Sequence, residues 1–537
     1  MNPLFSRERF SEHTNEAFEE ADATHSHTQG PAQGHTQGPA QGPEVPSTTS
    51  FASNHMFMML YTSIWSWITR WLSSLSPEMG DGWLYGLSFG FALLTGVFSN
   101  IALYRQWGWL ALGPYGAAVI LSLGLHRYRL NHRRNPATNL EAGIGDLNIT
   151  ADSDAPTRTS PKSSIGVGRI WIFLFVLIGA TLMPLGLEVT WFSQGHASTH
   201  VQPEVVVIAK AGSQTVHGKD PYRTVTNPKG QVVLSSPGLP VYENFFPYLP
   251  LMTVFGIPSS TDAPGQLTDP RIFFSLVTIF ITLLALGIYK GDSDKKMRTL
   301  QVLTVLPVAA LPLATGGDDM PIVAFLLLAM VLAQRRYPGM SGLVLGIVCS
   351  MKFTAWPLAA LALFAARDKQ DRRRPIRMLL GMVVVGVPVL VPFILKGPWA
   401  FFENVVLFPL GLAGVTSPAA SPLPGHILIT LFPWLHRAIA VCAGLGIVGV
   451  LGIYLLRQRP QSVAKICLVG GWVATAAIML APATRVGYLL YPINFFVWAY
   501  LFTTSRQGVK EVAPAACVTS EATMSLTSSQ SIRVSEN

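Results

Sequence analysis

The feature that most constrains this chain is a succession of about ten apolar runs, most of them long enough to cross a bilayer, separated by short bursts of Lys and Arg. They fall near residues 83–104, 107–126, 170–192, 271–290, 299–316, 320–334, 376–395, 435–456, 465–482 and 487–504. The bursts alternate in side. Arg127, Arg129, Arg133 and Arg134, then Lys290, Lys295, Lys296 and Arg298, then Arg335 and Arg336, the run Arg367–Arg377, and Arg457, Arg459 and Lys465 all fall on one side. Beyond residue 245 the other side holds chiefly Arg271, Lys396, Arg437 and Arg485. Loops rich in Lys and Arg stay in the cytoplasm. The pattern therefore predicts an all-α, multi-pass protein of the plasma membrane with both termini cytoplasmic.

Composition agrees. Only 12% of the 537 residues are charged, about half the fraction of a soluble domain. The formal charge of +9 is spent at the ends of apolar runs rather than in a basic patch interleaved with aromatics, so nucleic acid is not an expected partner. Cys349, Cys442 and Cys467 lie in or beside apolar runs and Cys517 in the polar tail, with neither CxxC nor Cys/His ligand spacing. No basic segment leads straight into an apolar one at the N-terminus, so a cleavable signal peptide is not expected and the first apolar helices would serve as insertion signals.

The chain divides into five stretches. Residues 1–54 are a polar tail expected to be disordered, carrying a tandem octapeptide, HTQGPAQG, at His27–Gly34 and His35–Gly42. Residues 55–126 read as a Trp- and Met-rich interfacial helix followed by two spans. Residues 127–168 read as a flexible cytoplasmic linker, 169–504 as the main membrane domain, and 505–537 as a second disordered tail. In the main domain a polar loop of some fifty residues, 193–244, falls on the outer side. Two apolar segments resist counting as spans. Residues 245–257 are short and proline-rich, and 340–366 are interrupted by MKFTAWP, which suggests two short helices or a re-entrant hairpin. Irregular backbone at membrane depth is tolerated only against protein or a water-filled cavity, so both point to a cavity.

Several polar residues sit against this apolar scaffold. Glu204 precedes an apolar run in the outer loop, where a partly buried carboxylate could serve as a general base; an ordinary loop acid is the plainer alternative. Asp220 and Tyr222, in DPY, fit a turn equally well. Lys352 interrupts an apolar stretch, and a lysine at that depth faces a cavity or a partner such as a lipid phosphate, unless it snorkels at a helix end. Asp318 and Asp319, in TGGDDMP, form a short turn that could bind a divalent cation but supplies too few ligands to require one. Arg485 lies between the last two spans, where it could meet a phosphate. His426, His196, His200 and His217 are candidate polar contacts.

In this order these elements resemble the family 87 glycosyltransferases, membrane enzymes of the GT-C fold typified by polyprenyl-phosphate-mannose-dependent α-mannosyltransferases. The resemblance spans roughly residues 170–504. It rests on Glu204, on Gly218–Tyr222, on Tyr248–Pro250, on the GGDDMP turn and on the spaced segment from Gly342 to Pro357. ENVVLFPLGLAGVTSPAASPLPGH and APATRVGYLLYP complete it. It implies a GT-C-like bundle of about 10–12 helices whose large outer loop carries the active site. Its donor would be a polyprenyl-phosphate sugar and its acceptor a glycan or glycolipid. Glu204 would act as base at the position where the family usually has an aspartate, a departure that keeps the carboxylate but lengthens it by one methylene. Asp220 would be the second catalytic residue, Lys352 or Arg485 would bind the phosphate, and Tyr222, Tyr248, Asp318, Asp319 and His426 would complete the substrate- and phosphate-binding site. No resident cofactor is implied, and a divalent cation is not required, because the leaving group is a single phosphate.

Two other readings share these features. A transporter or flippase for lipid-linked sugars would also use broken helices and buried charge, but such proteins often show internal repeats and none is evident here. A catalytically inactive membrane scaffold is the third.

Overall fold

The computed structural model describes residues 75–134, 166–195, 200–261, 265–366, 371–415, 418–457, 460 and 462–503. The octapeptide repeats, the segment expected to lie in the interface, most of the expected linker, His196, Cys517 and the C-terminal tail lie outside the described residues. Among those described, the secondary structure is helical, apart from two isolated bridges. Among the described residues seven helices are long and apolar enough to cross a membrane, and four shorter apolar helices accompany them. The chain is an all-helical, multi-pass membrane protein.

The first helix, α1 (Pro77–Phe98), starts at Ser76, whose hydroxyl accepts from the Met79 N–H at 3.3 Å. It ends earlier than the apolar pattern suggests. Ser99 leaves the helical region, and its hydroxyl accepts from the Ile101 N–H at 3.2 Å, a local bond that competes with helix continuation. The next helix, α2 (Ala102–Arg134), has 33 residues and so runs about 50 Å. It carries straight through residues 127–134, expected as the start of a flexible linker. Nor do these two helices form a separate unit. Tyr85, Trp107 and Tyr115 pack in one buried cluster with Phe173 and Val176 of α3 (Val167–Ser193) and with Val302 and Val305. The Tyr115 hydroxyl donates to the Val305 carbonyl at 2.6 Å.

The larger core is built around α8 (Asp319–Gln334), which follows α4 (Pro203–Val216), α5 (Pro270–Ile288), α6 (Ser293–Thr304) and α7 (Pro307–Thr315). Almost every residue of α8 is buried. A helix apolar on all faces belongs inside a bundle, and α8 packs against α5, against α9 (Pro338–Cys349) and against the last two helices. Its 16 residues rise only about 24 Å, which is why it falls short of a full span. By contrast, Arg374–Lys396 and Pro433–Arg457 bury only 6% of their apolar windows, as lipid-facing helices would.

The interrupted segment 340–366 is a pair of short helices. Here α9 ends at Cys349, the chain turns at Ser350–Lys352, and α10 (Trp356–Ala365) follows. The proline-rich segment 245–257 lies against that turn. Leu249 N–H donates to the Met351 carbonyl and Leu251 N–H to the Ser350 carbonyl, each at 2.9 Å. The two segments that resisted counting as spans thus satisfy each other's backbone, as an apolar surrounding demands. At the end of the short helix Pro250–Gly256, Gly256 meets Gly212 of α4 so closely that a Cβ on Gly212 would lie 2.2 Å from the Gly256 carbonyl carbon.

Two polar clusters mark the ends of this bundle. At one end Asp81 accepts from Arg169 Nε at 2.6 Å and from Gln301 Nε2 at 2.8 Å, with Arg298 paired to it as well. Arg129 pairs with Glu78 there. The other cluster lies near Tyr104, 25 residues earlier on α2, or about 38 Å along the helix axis.

Candidate active site

Glu204 occupies the first turn of α4, behind Pro203. The approach to it is firmly held. The Arg271 guanidinium donates to the His200 carbonyl at 2.6 Å, and His200 Nδ1 lies 2.7 Å from Glu188. Gln202 Nε2 donates to Thr315 Oγ1 at 2.8 Å and to the Tyr104 hydroxyl at 3.1 Å. One carboxylate oxygen of Glu204 pairs with Arg485. The other, Oε2, is buried and has no hydrogen-bond partner among the described residues.

Lys352 is brought to the same region by the break between α9 and α10. Its extended backbone separates α9 from the turn Phe353–Ala355. The ammonium lies 2.8 Å from Asp318 Oδ2 and 2.6 Å from Asp319 Oδ1, with the Tyr248 and Tyr488 rings at 5.3 and 5.6 Å. The aspartates stand where Gly316, at φ 115°, ends α7 and α8 begins. The helix N-terminus favours acids, yet Asp318 does not cap the helix and turns to Lys352 instead. Tyr491 donates to Asp319 at 2.5 Å and contacts Thr354 Oγ1 at 2.6 Å.

Burial pushes the Asp318 carboxyl up to about 6, against the pull of Lys352; Asp319 and Glu204 add to the rise. Burial alone would lower the Lys352 ammonium, but the two aspartates outweigh it and hold it above the ordinary lysine value. Lys352 therefore stays charged. Two of its three donors serve the aspartates, which leaves one for another ligand.

Glu204, Arg485, Lys352, Asp318, Asp319 and Tyr248 thus come together. The remaining candidates do not join them. Asp220 Oδ1 accepts from the Tyr222 N–H at 3.0 Å, the turn that DPY favours. No contact links it to Glu204 among the described residues. Tyr222 is buried and donates to the Tyr248 carbonyl at 2.7 Å, which supports the segment under Lys352. His426 Nδ1 lies 2.9 Å from the Pro482 carbonyl and braces the approach to Arg485. His217 closes its own helix through Ser213. As for a cation at Asp318 and Asp319, the described residues hold no group of three or more metal-ligating side chains, and Lys352 supplies the countercharge.

Sequence reasoning missed four contributors. Tyr488, Tyr491 and Thr354 lie inside quoted motifs, and the i, i+3 spacing of the two tyrosines hinted at a shared face. Tyr104 gave no signal, since it sits on a helix outside the resemblance. The buried carboxylate Glu403 also escaped notice. It accepts from Val225 N–H at 3.0 Å and Thr226 N–H at 2.6 Å, and so ties the long loop to the bundle.

Charged groups gathered at broken helix ends within a multi-pass bundle make a candidate polar site at one end of a membrane protein. Residues 246–482 match the family model described as Glycosyltransferase family 87, which indicates a membrane glycosyltransferase. The matched stretch contains Tyr248, Asp318, Asp319, Lys352 and His426; Glu204, Asp220, Tyr222 and Arg485 lie outside it. No curated protein matches the chain.

Proposed function

We propose that the chain transfers a hexose, mannose in the first instance, from a polyprenyl-phosphate sugar to a glycan or glycolipid acceptor at the outer face of the plasma membrane. The observation that carries this reading is the Glu204 carboxylate, held through one oxygen by Arg485 while the other is buried and unpartnered. That is the state of a base awaiting a proton. Glu204 takes the proton of an acceptor hydroxyl as its oxygen attacks the anomeric carbon. The bond from that carbon to the phosphate oxygen breaks, configuration inverts, and polyprenyl phosphate leaves with the electron pair. Lys352 and Arg485 stabilise the charge that develops on it, and no step requires a metal. The donor's phosphate meets this cluster best while Asp318 carries a proton, because two cations then face two carboxylates rather than three.

Membranes containing the chain, supplied with radiolabelled polyprenyl-phosphate mannose, should yield labelled product. Glu204→Gln should reduce it at least a hundredfold, the scale of general-base catalysis. Equal product from wild type and Glu204→Gln would remove Glu204 from the chemistry and make Asp220 the next residue to test. Loss of labelled lipid from one leaflet without any product would favour the flippase.

A further inference from the structure

Three buried polar side chains stand behind the first turn of α4, and the transfer step described above makes no use of them. Glu188 of α3 and Arg271 of α5 are fully buried, and His200 is nearly so. Arg271 lies on the outer side, where topology calls for no arginine. A guanidinium tolerates burial only when its donors are used, and here every nitrogen is engaged. Nε and Nη2 donate to the two oxygens of Asp269 at 2.9 and 2.7 Å, and Nη1 donates to the His200 carbonyl at 2.6 Å, with the Phe192 ring 5.3 Å away.

His200 is therefore gripped at both ends. Arg271 holds its carbonyl, while its ring reaches Glu188 through Nδ1 at 2.7 Å and lies 5.1 Å from the Trp191 ring. That bond aims the Glu188 carboxylate, whose other oxygen is buried with no hydrogen-bond partner among the described residues. Glu204 follows four residues later, and the chain between has little slack. Gln202 is bonded to Thr315 and Tyr104, and Pro203 fixes its own φ at the start of α4. Val205, the next residue, packs where α7 ends. A Cβ on Gly316 would lie 2.3 Å from the Val205 side chain and 3.4 Å from that of Arg271. Gly316 in turn precedes Asp318 by two residues. The same arginine thus braces the chain before Glu204 and the turn before Asp318.

We propose that Glu188, His200 and Arg271 are positioning residues for Glu204, a clamp that decides where its free carboxylate oxygen stands. The inference rests on the transfer reading only in calling Glu204 the base. Glu204 cannot aim itself. Arg485 engages one oxygen, Oε2 has no partner among the described residues, and what else fixes the side chain is the backbone it hangs from. A general base must meet its proton at hydrogen-bond distance, and a displacement of about 1 Å can cost roughly a hundredfold in rate. The clamp touches no substrate, so it should act on kcat, and only through Glu204.

The test is a double-mutant cycle in membranes containing the full chain, with rates scaled to folded protein. His200→Phe keeps a ring against Trp191 but loses the bond to Glu188, and Glu188→Leu removes that bond from the other side. Each should lower kcat at least tenfold and leave the donor KM within twofold of wild type. His200→Asn, which returns an amide donor toward Glu188, should recover most of the rate. In the Glu204→Gln background neither His200→Phe nor Glu188→Leu should lower the residual rate more than twofold, because no base is left to misplace. Equal losses in the two backgrounds would mean general loosening and overturn the proposal, as would an undiminished kcat in either folded variant. A second readout needs no turnover. The infrared carboxylate band that Glu204→Gln removes from the wild-type spectrum should shift or broaden when the same difference is taken in the His200→Phe protein. An unchanged band would overturn the clamp. A shifted band in a chain that transfers no sugar would keep the clamp and sink the transferase reading instead.

Discussion

Replacing Lys352 by Met tests the charge balance of the site more directly than any other substitution. Lys352 is 9% exposed and Asp318 and Asp319 are 5% and 7% exposed, so water cannot take over the lost interaction. Removing one partner of a buried ion pair costs about 3–5 kcal/mol, because the remaining charge is left uncompensated. Part of that cost is avoidable by taking up a proton. Asp318 already titrates near 6 in the folded protein, above its ordinary value of 3.8. A carboxyl whose folded pKa is raised binds more protons folded than unfolded across that window, so its contribution to stability falls as pH rises from 3.8 to 6. Without Lys352, whose charge holds it down, the folded pKa climbs further and the window extends upward. Lys352→Met should therefore lose about 3–5 kcal/mol at pH 7.5 and regain most of it at pH 5. Adding Asp318→Asn should restore much of the loss at pH 7.5. The assay is the melting midpoint of detergent-solubilised protein, followed across pH for wild type and both variants. A loss below about 1 kcal/mol, or one that does not change with pH, would refute the buried-pair account and return Lys352 to the role of a solvated, snorkelling side chain.

Tyr104→Phe should leave stability unchanged, since Gln202 keeps its bond to Thr315, and should lower transfer about two- to tenfold by removing one polar contact beside Glu204 and Arg485. Unaltered kinetics would make Tyr104 a packing residue only. Gly256→Ala should cost about 1–3 kcal/mol or more and depress activity with it, because its Cβ would fall 2.0 Å from the Ile208 carbonyl oxygen and push α4 away from the short helix Pro250–Gly256; a normal melting midpoint would contradict this. Glu403→Gln should destabilise by about 1–3 kcal/mol and make the loop before residue 244 more susceptible to protease, because an amide matches two backbone N–H groups and the Thr226 hydroxyl less well than a carboxylate does. Unchanged digestion would show that the loop is held elsewhere.

The site was partly legible. Glu204, Lys352 and Arg485 could be singled out because each is polar against an apolar background, and such residues are rare without a reason. Asp220 was singled out on the same ground, but there the turn it forms with Tyr222 accounts for the residue. Lys352 was expected to await a phosphate, and it is already engaged by Asp318 and Asp319. Sequence shows that a buried charge needs a partner, but it does not say which one.

The all-helical, multi-pass architecture was settled by sequence alone, because a bilayer leaves a chain few options. Backbone groups must be satisfied within each segment, and charge must stay at the ends. The bilayer thus enforces rules that can be read one segment at a time. Which segments meet obeys no such local rule. The Tyr104 helix reaching Gln202, residues 245–257 bonding the Ser350–Lys352 turn, and Glu204 pairing with Arg485 from the far end of the chain all depend on how apolar helices choose among nearly equivalent neighbours. That choice is made by close packing, as at Gly212 against Gly256, and by a few buried polar contacts. Only the tertiary structure decided it.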